Sequence, residues 1–353
     1  MKRCYLFMFI LLLFNNISLQ SIIIQNENDS LDSFILTICL GTPKQCLPFQ
    51  IRTSLNEIIV FSKKSHHLGY EAFKSTTNRS SHMLISKSVN FDNVTGMYMW
   101  DIFYIPSINI EIKKIKFILS DNVIKSTKYV GIIGIGSVNS INYNKDSDLI
   151  MLLKDNQSIQ YSTISFGNRY IYLGNSPFDL NELFKYKIKR VCDVNNNYGL
   201  FNCEIQNVLL YNRNDVLYKE NNKMVLFSVV EDFVYVTEEF FSYLERDLFY
   251  DELKKGDCWE VEGKNYSIVI QCNEKGKESA KNIKLIFFIG QWSEVLNYEN
   301  LFNIKGELNL RKRIYVNDVW VYGKIILDKY LVSFDKDNNK VIFNTKTPNK
   351  PMR

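Results

Sequence analysis

Short apolar stretches alternating with polar positions recur along most of the chain, and a period of two marks half-buried strands. Ser33 to Ile38 predicts a strand closed by Leu40-Gly41-Thr42-Pro43, and Cys46 to Ile51 returns antiparallel to it. Ile58 to Phe61 follows as a third strand. Lys63 to Ser88 is polar and Ser-rich with weak periodicity, which predicts loop, and places the adjacent His66 and His67 on the surface. Val94-Thr95-Gly96-Met97-Tyr98 predicts the tip and return arm of a hairpin continuing to Ile105, and Lys113 to Leu119 alternates as the next strand. Asp148 to Lys154 is the first helical pattern, with an acid at its start. Ser162 to Leu173 alternates again and ends at Gly174-Asn175-Ser176-Pro177, the strongest boundary signal in the chain.

The second half repeats the plan. Tyr186 to Val191 and Phe201 to Leu210 predict strands, and Lys223 to Phe227 meets Ser228-Val229-Val230 as Leu47 to Ile51 meets Arg52-Thr53-Ser54. Thr237 to Phe249 predicts an amphipathic helix with Thr237 as N-cap and acids in the first turn. Ser267 to Gln271, Ile283 to Ile289 and Val319 to Gly323 are further strands. Lys329 to Asp335 and Lys340 to Phe343 close the chain's order around an Asp337-Asn338-Asn339 turn. The expected architecture is mainly β, in two lobes of about 150 residues each with few short helices.

Composition agrees. The chain has 353 residues, 46% hydrophobic and 14% aromatic, enough to bury sizeable cores. Lys2 and Arg3 precede an apolar run from Cys4 to Phe14 that is too short to span a bilayer, which is the anatomy of a secretory signal. The expected division is therefore 1–20 signal, 21–175 N-terminal lobe, 176–345 C-terminal lobe and 346–353 polar tail. Loss of the signal lowers the net charge from +5 to about +3, and the remaining basic residues are interleaved with acids, so no nucleic-acid partner is expected. Arg311-Lys312-Arg313, the densest basic run, reads as a solvated turn. The six remaining cysteines form three close couples, each bracketing a predicted hairpin: Cys39-Cys46, Cys192-Cys203 and Cys258-Cys272. Pairing within couples is favoured among the 15 possible connectivities, in an oxidising compartment. Neither C-x-x-C spacing nor nearby histidines suggest a metal, so no cofactor or metal is expected. Acceptor sequons at Asn28, Asn78, Asn93, Asn156 and Asn265 fit a secreted glycoprotein. Gly131-Ile132-Ile133-Gly134-Ile135-Gly136 has the spacing G-x-x-G-x-G, not G-x-G-x-x-G, and no βαβ pattern surrounds it, which argues against nucleotide binding.

The order of these segments resembles the pepsin-like aspartic proteases (peptidase family A1) over nearly the whole mature length. Leu40-Gly41-Thr42-Pro43-Lys44-Gln45 is similar to that family's first hairpin turn, and Val94-Thr95-Gly96 followed by Asp101 to the return arm of its flap. Gly131 to Gly136 resembles the segment crossing behind the first catalytic loop. Trp320 to Gly323, Tyr330 to Asp335 and Asn338 to Phe343 resemble its closing run, and Cys258 with Cys272 its C-terminal-lobe disulfide.

The resemblance implies two facing carboxylates, one per lobe, sharing a proton because neighbouring like charges cannot both ionise cheaply. One would activate water while the other polarises the substrate carbonyl. Aligned without gaps, Arg52 falls on the first of these aspartates, Ser54 on the following glycine, and Ser228 on the second aspartate; neither D-T-G nor D-S-G occurs anywhere. The flap tyrosine is replaced by Val89 or Phe91. Arginine cannot serve as a base, and a lone serine has no paired carboxylate, so no catalytic residue is assigned and the expectation is a protease homologue without proteolysis. The positions expected to line the interlobe cleft are Thr53, Ser54, Phe91, Val94, Thr95, Gly96, Val229, Val230, Glu231 and Asp232. Glu231 and Asp232 either pair with Arg52 across the cleft or face solvent. The expected partner is a peptide or protein segment bound in the cleft of a monomer, in the secretory pathway, outside the cell or in a lysosome-like lumen. Two alternatives stay open: an endopeptidase rearranged around Glu231 or Asp232, and an adhesion module using its outer surface.

Overall fold

The computed structural model describes residues 22–25, 34–53, 55–89, 92–122, 128–138, 143–167, 170–174, 189–194, 201–263, 267–290, 292–313 and 319–345. The expected signal, the tail, Ser54, Phe91 and the boundary at 175–188 lie outside these residues. The first half contributes β1 (Ile22–Gln25), β2 (Ile35–Leu40), β3 (Gln45–Arg52), β4 (Ile58–Phe61), β5 (Arg79–Val89), β6 (Asp92–Ile105), β7 (Ile110–Ser120), β8 (Gly131–Gly134), β9 (Thr163–Phe166) and β10 (Tyr170–Leu173). The second contributes β11 (Lys189–Asp193), β12 (Asn202–Asn212), β13 (Asp215–Phe227), β14 (Val234–Val236), β15 (Cys258–Gly263), β16 (Ser267–Cys272), β17 (Ile283–Ile289), β18 (Trp292–Asn297), β19 (Leu310–Arg313), β20 (Val319–Tyr322), β21 (Tyr330–Asp335) and β22 (Lys340–Thr345). The protein is mainly β, with few short helices.

Its topology is duplicated. A seven-stranded sheet runs β2-β3-β8-β4-β7-β6-β5, and the larger sheet contains the order β12-β13-β20-β14-β19-β16-β15, with the β17-β18 hairpin added beside β12. The orientations correspond as well. β3 lies parallel to β8 as β13 does to β20, and β4 lies antiparallel to β8 as β14 does to β20. β4 is parallel to β7 as β14 is to β19. A third sheet, β1-β10-β9-β21-β22-β11, takes three strands from each half and joins them where β9 pairs antiparallel with β21. At that join Ser165 lies opposite Ser333, and its hydroxyl donates to the Ser333 Oγ at 2.7 Å.

Local chemistry explains most elements. Asp148 caps the helix Leu149–Asp155 by accepting from the backbone N–H groups of Ile150 and Met151. Thr237 caps Glu238–Tyr243 by accepting from the Phe240 N–H, as expected. The helical stretch then passes through a π turn at Leu244–Leu248 before Tyr250–Lys255, instead of running unbroken to Phe249. The three expected disulfides are present. Cys39–Cys46 and Cys258–Cys272 are cross-strand pairs within hairpins, whereas Cys192–Cys203 ties β11 of the shared sheet to β12 of the larger one.

Three expectations need correction. Lys63 to Ser88 is not all loop, since β5 begins at Arg79; as an edge strand, exposed or half-exposed where its side chains are described, it carries no alternation to read. Arg311-Lys312-Arg313 is not a solvated turn but part of β19, with Arg311 only 2% exposed. Arg311 lies over the Phe233 ring and donates to Glu307, and Arg313 lies over Tyr235, so stacked and paired guanidiniums fill interior positions. His66 is buried, with Nδ1 accepting from the Leu68 N–H, and stacks on the exposed His67.

A buried ion pair ties the two halves together. Lys336, just past β21, donates to Asp148 at 2.7 Å and to the Gly136 carbonyl at 2.6 Å, and both charged side chains are 1% exposed. Lys336→Met would leave the Asp148 carboxylate buried without its cation, at a cost of about 3 kcal/mol. The expected outcome is a clearly lower denaturation midpoint in urea, read by tryptophan fluorescence; an unchanged midpoint would contradict it.

Candidate functional site

Strand register alone identifies the equivalent positions of the two halves. Ile59 lies opposite Ile132 on one side and Ile118 on the other; Tyr235 lies opposite Val321 and Arg311 on the same two neighbours. Counting back seven residues from each brings Arg52 and Ser228 to the same place, followed by Thr53 with Val229 and Leu55 with Glu231. The glycines behind these loops confirm the correspondence. A Cβ on Gly134 would fall 2.5 Å from the Leu55 carbonyl oxygen and 2.6 Å from that of Glu57. On Gly323 it would fall 2.3 Å from the carbonyl oxygens of both Glu231 and Phe233. No side chain fits in either place.

The two loops touch. The Thr53 hydroxyl, fully buried, donates to the Phe227 carbonyl at 2.7 Å, immediately before Ser228. Its counterpart Val229 has no donor to return the bond and packs in the main core. Ser228 turns its hydroxyl back on its own loop, accepting from the N–H groups of Val230 and Glu231, each at 3.3 Å. Its backbone N–H donates to the Tyr322 carbonyl.

Arg52 is 9% exposed. Its Nε donates to Gln50 Oε1 and its Nη2 to the Tyr129 hydroxyl, both at 2.7 Å, with the guanidinium 5.7 Å from the Tyr129 ring centre. Neither acid pairs with Arg52, and of the two only Asp232 is exposed. Glu231 is buried and holds Arg313 at 2.8 Å while accepting from the Tyr235 hydroxyl, and Asp232 holds Lys324 at 2.6 Å. Both acids are thus engaged by cations of their own half. Beside this arrangement burial draws the Arg311 guanidinium below its ordinary value, with Glu307 opposing.

The remaining cleft candidates fall in varied surroundings. Val94 is 3% exposed and packs with Leu55, Ile59, Phe61, Ile118 and Ile132, so it belongs to a small apolar cluster rather than to an open wall. Thr95 is exposed, with N–H and hydroxyl both donating to Asn122 Oδ1. Gly96 lies against the Leu119 carbonyl, where a Cβ would come within 2.3 Å. Val230 is half-buried against the core. Sequence reasoning missed Gln50 and Tyr129. Gln50 could have been found, because residues two apart on a strand share a face; Tyr129 could not, because only folding brings it to Arg52. Glu57 was also missed: it is buried and accepts from the Tyr98 hydroxyl, whose pKa is pushed up by burial and by the Glu57 charge.

No protein-family model matches the chain, and no curated protein matches it.

The Thr53 bond offers a direct check. Thr53→Val removes a buried donor and leaves the Phe227 carbonyl wanting, which costs about 1 kcal/mol, and Thr53→Ser restores it. The measurement is the difference in urea midpoint between the two variants; equal midpoints would count against the bond.

Proposed function

We propose that this chain is a secreted bilobal protein of the pepsin-like fold that has lost proteolysis and keeps its interlobe cleft for an extended peptide or protein segment. The observation that carries the reading is the placement of Arg52 and Ser228 at equivalent positions of two equivalent strand-loop units, the positions where the resemblance implies paired carboxylates. A guanidinium and a hydroxyl there cannot share a proton, activate water and polarise a carbonyl together. Glu231 and Asp232 offer no substitute pair, because each carboxylate is held by a cation beside its own loop. What remains useful is binding: an extended segment can add to exposed strand backbone while side-chain pockets set preference.

Secretion is supported by the three disulfides. Among the described residues no helix is long and apolar enough to cross a membrane, which is compatible with the same reading. Of the sequons, Asn156 is exposed at the end of its helix, whereas the Asn78 amide donates to the Ala72 carbonyl; a glycan is therefore expected on Asn156 before Asn78.

The test is incubation of the purified protein with an unfolded substrate from about pH 3 to about pH 7, with and without a statine-type transition-state analogue. The expected outcome is no cleavage above background at any pH. Cleavage blocked by the analogue would overturn the loss of proteolysis, and analogue binding without cleavage would favour the cleft over an adhesive outer surface.

A further inference from the structure

Arg52 poses an electrostatic problem that the protein itself leaves unsolved. A guanidinium that is nine-tenths buried needs either a counter-ion or a full set of acceptors, because an uncompensated buried charge is costly. Its partners are Gln50 and Tyr129, both neutral. No carboxylate among the described residues pairs with it: Glu231 is taken by Arg313 and Asp232 by Lys324. Nη1 has no partner among the described residues, while Nε and Nη2 are held at 2.7 Å. The planar fork is therefore fixed from one side, with both Nη1 hydrogens and one on Nη2 left over. That is a preorganised half of a charge-assisted contact.

We propose that Arg52, oriented by Gln50 and Tyr129, receives a carboxylate, and that the segment bound in the cleft is an acidic peptide placing a Glu or Asp side chain on this guanidinium. The inference rests on the cleft-binding reading above and adds the chemistry of its ligand. The carboxylate supplies the counter-ion the fold omits, accepting from Nη1. Tyr129 stabilises the geometry, its hydroxyl accepting from Nη2. Recognition then depends on the charge of one ligand residue, and it weakens once that residue is protonated below its ordinary pKa of about 4.

Two libraries of N-acetylated, C-amidated heptapeptides serve as the probe, random except for a central Glu in one and a central Gln in the other. Each is passed over the immobilised full chain at about pH 7 and about pH 3, and the bound fraction is quantified by mass spectrometry. The expected result is retention of Glu peptides roughly tenfold above Gln peptides at the higher pH, with the preference gone at the lower. Arg52→Gln is expected to abolish the preference while retaining the same near-UV circular dichroism. Tyr129→Phe, which keeps the ring and removes only the hydroxyl, is expected to reduce the preference a few-fold. Equal retention of the two libraries by the unaltered chain, or a preference unchanged in Arg52→Gln, would overturn the inference and leave the cleft reading standing. Retention of neither library would overturn the cleft reading, and the inference with it.

Discussion

Gly134 and Gly323 set the geometry on which both loops depend. Each lies under the carbonyl oxygens of the loop crossing it, so close that a methyl group could not be accommodated. The contacts are made by backbone against backbone. The Gly134 N–H donates to the Glu57 carbonyl and the Gly136 N–H to that of Leu55; in the other half Lys324 donates to Glu231. Much of each loop's shape is thus set by backbone contacts, to which the Ser228 hydroxyl adds two bonds in the second loop. Arg52 and Ser228 stand at the ends of strands whose following loops are anchored from behind by these backbone contacts.

Charge is distributed unequally between the two loops. Around the second, each nearby acid has a cation: Glu231 with Arg313, Asp232 with Lys324, and Glu307 with Arg311. Aromatic rings at Phe233 and Tyr235 lie against those guanidiniums and keep water from them. The second loop is thereby neutral within its own half. The first loop is the opposite case, a buried guanidinium held among the described residues by an amide and a phenol. Structural stability does not explain such an arrangement, because an apolar residue of similar volume would avoid the desolvation penalty. The acidic ligand proposed above would supply the missing charge.

Much of the fold was legible because period-two alternation survives where one strand face meets the core and the other does not, as in β17. It failed where that asymmetry vanishes. β5 is an edge strand with no buried face to mark it, and β14 is three residues buried throughout. β19 failed for a further reason: Arg311 and Arg313 read as surface residues, and only the folded chain supplies the rings and acids that make them interior. In the candidate site the positions of Arg52 and Ser228 were legible, because each follows a similar apolar strand and no gap intervenes. Their partners were not. For Arg52 the sequence suggested Glu231 and Asp232, the acids beside the matching loop of the second half, by charge alone, while the contacts that formed came from Gln50, on the same strand face, and Tyr129, far along the chain.

The two halves are joined mainly away from the loops. Near Arg52 and Ser228 the tie among the described residues is the Thr53 bond, and Val229 at the equivalent position has no side-chain donor to match it. At the shared sheet the ties are several. Ser165 meets Ser333 across β9 and β21, Ser137 donates to Asn339, Lys154 holds Asp337, and Lys336 is buried against Asp148 and Gly136. Most of these are buried or half-buried, where hydrogen bonds and ion pairs are least screened. The relative placement of the two loops is thus imposed from the base of the molecule. Side chains at the loop tips bear little of that load.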